Sequence, residues 1–242
     1  MLAMAGLTVI AATMAWRATG GGNSSPGGFE LLFDGHSLVG WQGWPGDPVA
    51  LAHMTRSQRA AAIKHAQRLA QDHWHPWSGM LFFDGHPDAG NLCTLKHFSD
   101  FELILDWRLS SVGGGDSGIY LRGSPQVQIW DPRNDPPATS VGSGGLYNNK
   151  GHTAIPLAFA DNSPGQWNRF HIIMRGPVVK VFLNGVLVVD RVPFEDYWAN
   201  KAAGDDVYAG KLVQSCGPIE LQAHASPVWF RNIWIKQQDA MD

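Results

Sequence analysis

From residue 101 onward, apolar and polar side chains take turns along the chain. Phe101, Leu103, Leu105, Trp107 and Leu109 alternate with Glu102, Ile104, Asp106 and Arg108. Ile119 and Leu121 alternate with Tyr120 and Arg122, and Val127 and Ile129 with Gln126, Gln128 and Trp130. Late in the chain Ile219, Leu221 and Ala223 alternate with Glu220, Gln222 and His224. A period of two sends successive side chains to opposite faces, so each stretch predicts a strand with one buried face. Residues 178–183 and 186–190 flank Asn184-Gly185, a pair that readily supplies the positive φ angles of a type I′ hairpin turn. Residues 167–175 and 228–236 read as further strands. So does 29–35, closed by Asp34-Gly35, and 38–44 continues it with two tryptophans. Only residues 55–73 keep a helical period, through Ala60, Ile63, Ala66 and Ala70, with Thr55 or Ser57 as N-cap. Many strands, one helix and no strand–helix–strand alternation predict an all-β, two-sheet antiparallel jelly-roll sandwich with a helix inserted near 55–73.

A length of 242 residues suits one such domain, expected over 29–237. The formal net charge is −3 and no basic run occurs, so a nucleic-acid partner is not expected. Eleven tryptophans against four tyrosines are unusual; indoles fill sandwich cores but also form platforms for sugar rings. Cys93 and Cys216 lie in no metal-binding spacing, and both read as buried thiols, with a disulfide between them as the alternative. Residues 1–16 are apolar and uncharged, followed by Arg17 and a Gly/Ser tract ending at Gly28. A membrane span needs about 20 residues, so the stretch fits a signal segment better. Export to the periplasm or medium is expected, with no membrane span in the mature chain; an uncleaved N-terminal anchor is the alternative.

A solvated sheet face is ordinarily Lys, Glu and Thr. Here the polar positions are Glu102, Asp106, Arg108, Tyr120, Arg122, Gln126, Gln128, Trp130, Glu220, Gln222 and His224. Planar amides, carboxylates and guanidinium groups can bind adjacent hydroxyls in pairs while a ring covers a sugar's C–H face. If those strands share one sheet, the residues line one groove. Any single member is as readily explained as ordinary surface polarity or a cross-strand ion pair. The Gly-rich run 112–118 lacks the ending of a phosphate loop and precedes a strand; it would bring Asp116 close to a ligand, or Asp116 would cap its own turn. The stretch 142–151, with Tyr147, Asn148, Asn149 and Lys150, reads as a loop above the sheet. His73 and His75 fit a structural role at a helix end better than a metal site, and neither a GxSxG nor an HExxH motif occurs.

Taken together, several motifs resemble one family in order. They are Leu32-Phe33-Asp34-Gly35 with Gly40-Trp41, Phe98-Ser99-Asp100-Phe101-Glu102-Leu103, Asp116-Ser117-Gly118-Ile119-Tyr120-Leu121-Arg122-Gly123 and Gln126-Val127-Gln128-Ile129-Trp130-Asp131. Gly165-Gln166-Trp167-Asn168, Leu183-Asn184-Gly185, Ile219-Glu220-Leu221-Gln222-Ala223-His224 and Phe230-Arg231-Asn232-Ile233 follow. The chain thus resembles the 3-keto-disaccharide hydrolase domain over about 29–236, nearly the whole mature chain. The resemblance implies a concanavalin A-like jelly roll and glycoside substrates whose glucose carries a ketone at C3. That ketone acidifies the C2 proton; a base can remove it, the enolate expels the C1 substituent, and water adds back. Such chemistry needs a base and an enolate stabiliser rather than two opposed carboxylates.

On this resemblance His224 or Asp116 is the expected base, and Arg122, with Lys150 second, the enolate stabiliser. Glu102, Tyr120, Gln126, Gln128, Asn148, Lys150, Glu220 and Gln222 are expected to bind substrate, with Trp130 stacking on a ring. No cofactor is required; a divalent ion, if one is used, would fall to Glu102, Glu220 and His224. The partner is a small oligosaccharide or glycoside. The chain departs from the family in carrying Asp116 where many relatives have Asn, and Ala225 where many have Gly after the histidine. A non-catalytic, lectin-like binding module is the alternative; four ionisable groups on the face favour the enzyme.

Overall fold

The computed structural model describes residues 27–122, 124, 126–134, 141–205, 207 and 216–238. The apolar opening segment lies outside the described residues. The chain begins with β1 (Glu30–Leu31), β2 (Trp41–Gly43), α1 (Pro48–His53), α2 (Arg56–His73), β3 (Trp74–Trp77), β4 (Met80–Phe83) and β5 (Leu92–Thr94). It continues with β6 (Phe101–Leu109), β7 (Asp116–Leu121), β8 (Gln126–Trp130), β9 (Leu146–Tyr147), β10 (Asn168–Arg175) and β11 (Val178–Leu183). Then come β12 (Val186–Pro193), α3 (Tyr197–Lys201), β13 (Ile219–Leu221) and β14 (Val228–Gln237).

Two antiparallel sheets form the expected sandwich. One has the order β12-β11-β10-β6-β14-β4-β3, with β1 also on β14, and the other β2-β5-β13-β7-β8-β9. The alternation seen in the sequence is realised in burial. Phe101, Leu103, Leu105, Trp107 and Leu109 face inward from β6, against Leu92, Ile119, Leu121, Val127, Ile129, Ile219 and Leu221 from the other sheet. At about 1.5–3 kcal/mol per large apolar side chain, this shared core is the main source of stability. Asn184 (φ 51°) and Gly185 (φ 83°) make the β11–β12 turn, as their residue types predict.

The inserted helix also forms where its periodicity places it. Thr55 is the N-cap: its hydroxyl accepts the Gln58 amide hydrogen, while the Gln58 side chain accepts that of Thr55. α2 lies against β2 so closely that a Cβ at Gly43 would come within 2.0 Å of the Ala66 carbonyl oxygen. Gly43 also donates its N–H to the Gln67 side chain at 3.1 Å. Among the described residues no helix is long and apolar enough to cross a membrane. Cys93 is buried as expected, but Cys216 is exposed, and neither is in a disulfide.

Candidate active site

The outer face of the six-stranded sheet gathers most of the singled-out residues. Gln42, Cys93, Glu220, Tyr120, Gln126 and Tyr147 are successive cross-strand partners from β2 to β9. Their neighbours Leu92, Leu221, Ile119, Val127 and Leu146 point the other way into the core. Two residues along, Gly118 pairs with Gln128, and Gln222 donates its N–H to the Gly118 carbonyl at 2.9 Å. Two residues further, Asp116 pairs with Trp130. Gly118 serves as floor: a Cβ there would lie 1.9 Å from Gln126 Nε2.

His224, just beyond β13, places Nδ1 3.1 Å from Asp116 Oδ2. A hydrogen on Nδ1 donates to the carboxylate, leaving the Nε2 lone pair free. The imidazole is more than half exposed, whereas Asp116 is largely enclosed. Ser226 clamps Asp116's backbone, its hydroxyl donating to the carbonyl and accepting from the N–H, each at 3.0 Å. Burial raises the Asp116 pKa above the usual carboxylate value, against the opposing influence of His224 and Gln128.

Three glutamines extend from this pair. Gln128 Nε2 donates to Asp116 Oδ1 at 3.2 Å. Gln126 Nε2 donates to Gln128 Oε1 at 2.8 Å and also lies 2.7 Å from Gln222 Oε1 and 3.0 Å from the Ser117 carbonyl. Gln222 Nε2 points to the Tyr120 hydroxyl at 3.5 Å. Burial, then the charge of Glu220, holds the Tyr120 phenol above its ordinary pKa, so it stays a hydroxyl. Trp130 stands beside Asp116 with its Nε1 enclosed and without an acceptor.

Glu220 sits at the other end of the face, 3% exposed. Burial lifts its pKa to about 8, opposed by the hydrogen bond from Asn91 Nδ2. Neighbouring Cys93 is pushed to about 12, first by burial and then by Glu220. Because the folded-state value lies above the ordinary 4.5, the native state holds this proton more tightly than the unfolded chain. Stability should therefore fall as pH rises from about 4.5 to about 8. Glu220→Gln should abolish that slope, matching the native chain near pH 4.5 and exceeding it by up to about 5 kcal/mol above pH 8. Urea unfolding at the two pH values measures this, and parallel slopes in both proteins would refute it.

Several expected members are elsewhere. Arg122 is buried with φ 53°, which turns it out of the strand. Its guanidinium donates to Asp100 Oδ1 at 2.8 Å, to the Gly176 carbonyl at 3.0 Å and to the Ser99 carbonyl at 2.6 Å through Nε. Arg122 is 4% exposed and its guanidinium is held by these three residues, which suits a structural cation better than the expected enolate stabiliser. Glu102, Asp106 and Arg108 belong to β6 and thus to the other sheet. Glu102 bonds His171 at 3.1 Å and Gln238 at 2.7 Å, Asp106 holds Arg169 at 2.6 Å, and Arg108 lies between the Trp167 and Trp229 rings. The expected metal set therefore does not assemble: Glu102 is on the opposite sheet, and Glu220 and His224 are about 13 Å apart along one chain segment. Asn148, with φ 71°, and exposed Lys150 stand on the loop after β9. His73 is tied to Asp84 at 3.0 Å and stacked on His86, in keeping with a structural role. Asn91, which holds Glu220 and accepts the Ala223 N–H at 2.8 Å, escaped notice because nothing marks residue 91 as adjoining a strand. Ala225 takes φ 44°, a left-handed conformation that glycine would adopt without strain.

Comparison with known proteins places this arrangement. A curated relative from Bacteroides thetaiotaomicron, a 3-keto-disaccharide hydrolase, is 25% identical over 252 residues, covering 88% of this chain and 79% of the relative. A crystal structure from Parabacteroides distasonis, inferred to be a glycosyl hydrolase, superposes with a TM-score of 0.59 at 20% identity over 88% of this chain and 95% of that one. A second from the same organism gives 0.50 at 22% identity, over 69% and 91%. These likenesses establish the fold. Residues 28–236 match the 3-keto-alpha-glucoside-1,2-lyase-like domain, and the chain belongs to that family of glycoside-acting enzymes.

Proposed function

We propose that the chain cleaves 3-keto-glycosides on the outer face of its six-stranded sheet, with His224 as base and Asp116 as its orienting partner. The single observation that carries this is the His224–Asp116 contact of 3.1 Å, set among amides that suit sugar hydroxyls. Imidazole is a common general base, and with Nδ1 turned to Asp116 its Nε2 is the nitrogen left to take a proton. Nε2 takes the C2 proton, and the C2 electron pair moves toward the C3 oxygen as an enolate. The enolate re-forms the ketone, a C1–C2 double bond appears, and the C1 oxygen leaves with its group. The imidazolium proton can go to that leaving oxygen. Addition of water at C1 and a proton at C2 completes net hydrolysis. With Arg122 committed elsewhere, the enolate oxygen is served by neutral donors, Gln222 Nε2 and the Tyr120 hydroxyl. Trp130 covers the ring held beside Asp116. Export of the mature chain, suggested by its apolar opening, belongs to the same proposal.

The test is NMR product analysis after incubation with a 3-keto-glucoside in D₂O, with and without EDTA. Deuterium at C2 or a released unsaturated keto-sugar is expected. Substrate that binds but stays intact would point instead to a carbohydrate-binding module. Loss of activity in EDTA would add a divalent ion to the site.

A further inference from the structure

The three glutamines beside the His224–Asp116 pair have a fixed polarity. Gln128 must turn Nε2 toward Asp116, because a carboxylate only accepts. Its Oε1 is thereby turned to Gln126, which must answer with Nε2. The Ser117 carbonyl demands the same orientation. Gln126 Nε2 then has three acceptors for two hydrogens, while its Oε1 is enclosed with no donor. Gln126 is 1% exposed and cannot turn over unless Gln128 does. At the end of the series Gln222 is partly exposed, with Oε1 toward Gln126 and Nε2 outward beside Tyr120. A buried amide held with an orphaned oxygen is tolerated where a stronger charge dictates its direction.

We propose that Gln128 and Gln126 are positioning residues that transmit the ionised state of Asp116 to Gln222, so that Gln222 offers its Nε2 hydrogens to a sugar oxygen most firmly while Asp116 is a carboxylate. The inference rests on the reading of this face as the sugar site. It adds that binding and the charge of the catalytic pair are coupled. Once Asp116 is protonated it can donate to Gln128 Oε1, and the charge that directs the series is gone, leaving only the Ser117 carbonyl to hold Gln126. The groups facing Asp116 are His224, Gln128, Trp130 and Ser226; of these only His224 titrates.

Methyl α-glucoside, which lacks the ketone and cannot react, is the probe, titrated by NMR into the full chain. Affinity should fall about tenfold as pH drops through the Asp116 titration. Gln128→Leu should bind about tenfold more weakly at neutral pH with a flat profile. Asp116→Asn, which keeps the shape and loses the charge, should also be weak and flat. His224→Gln should keep the acid-side loss but at higher pH, since the imidazole no longer holds the Asp116 carboxyl down. A folded Gln128→Leu with the native pH profile, or Asp116→Asn binding like the native chain, overturns the relay. Native binding without pH dependence overturns the relay alone. Failure of the native chain to bind the glucoside at any pH removes the sugar-site reading, and the relay with it.

Discussion

Replacing His224 with alanine should lower single-turnover cleavage of a 3-keto-glucoside about 10³-fold, with affinity for methyl α-glucoside close to the native value. The expectation follows from geometry. Nδ1 is engaged by Asp116 at 3.1 Å, so the ring is oriented and Nε2 is the nitrogen left with a lone pair. The neighbouring amides accept or donate hydrogen bonds but cannot take a proton, so the lost step has no substitute. A variant that retains cleavage within about tenfold of the native rate would shift the base to Asp116.

The second large effect is on stability. Arg122→Ala should destabilise the fold by about 3–5 kcal/mol, because it leaves the partly buried Asp100 without its cation and the Ser99 and Gly176 carbonyls without their donor. Arg122 reaches from the end of β7 to Ser99 and Asp100 before β6 and to Gly176 between β10 and β11, so it ties the two sheets together at one end. Arg122→Lys should recover only part of the loss, since one ammonium cannot reproduce the guanidinium fork. Denaturant unfolding measures both, and activity per folded molecule should be nearly native. A stable, inactive Arg122→Ala would restore this residue to the chemistry.

The fold was legible because alternation survives in strands that bury one face, and because Asn184-Gly185 and Thr55 carry their turn and cap chemistry locally. Asp116, Gln126, Gln128, Gln222 and His224 were legible as a set for the same reason: they occupy alternate positions on strands that do become neighbours. The assignment of β6 was not. Its polar positions look like those of β7 and β8, and a strand's sheet is decided by pairing across long separations, as Leu92 with Leu221 shows. Arg122 continues the Tyr120 face in the alternation, yet a positive φ removes it. Asn91 and Cys93 border or occupy a strand of three residues, too short to show a period.

The position of β14 bears on when the chain can fold. It pairs with β1, β4 and β6, joining residues near both ends and the middle of the described chain. A polypeptide lacking residues 228–237 has β6 with an open edge, β1 with no strand to join, and the β3–β4 hairpin cut off from the rest of the sheet. The local β10–β11–β12 meander can form during synthesis, but closure of the larger sheet must wait for the last strand. Loss of β14 would thus split the larger sheet into a β6–β10–β11–β12 part and a β3–β4 hairpin, and leave β1 unpaired.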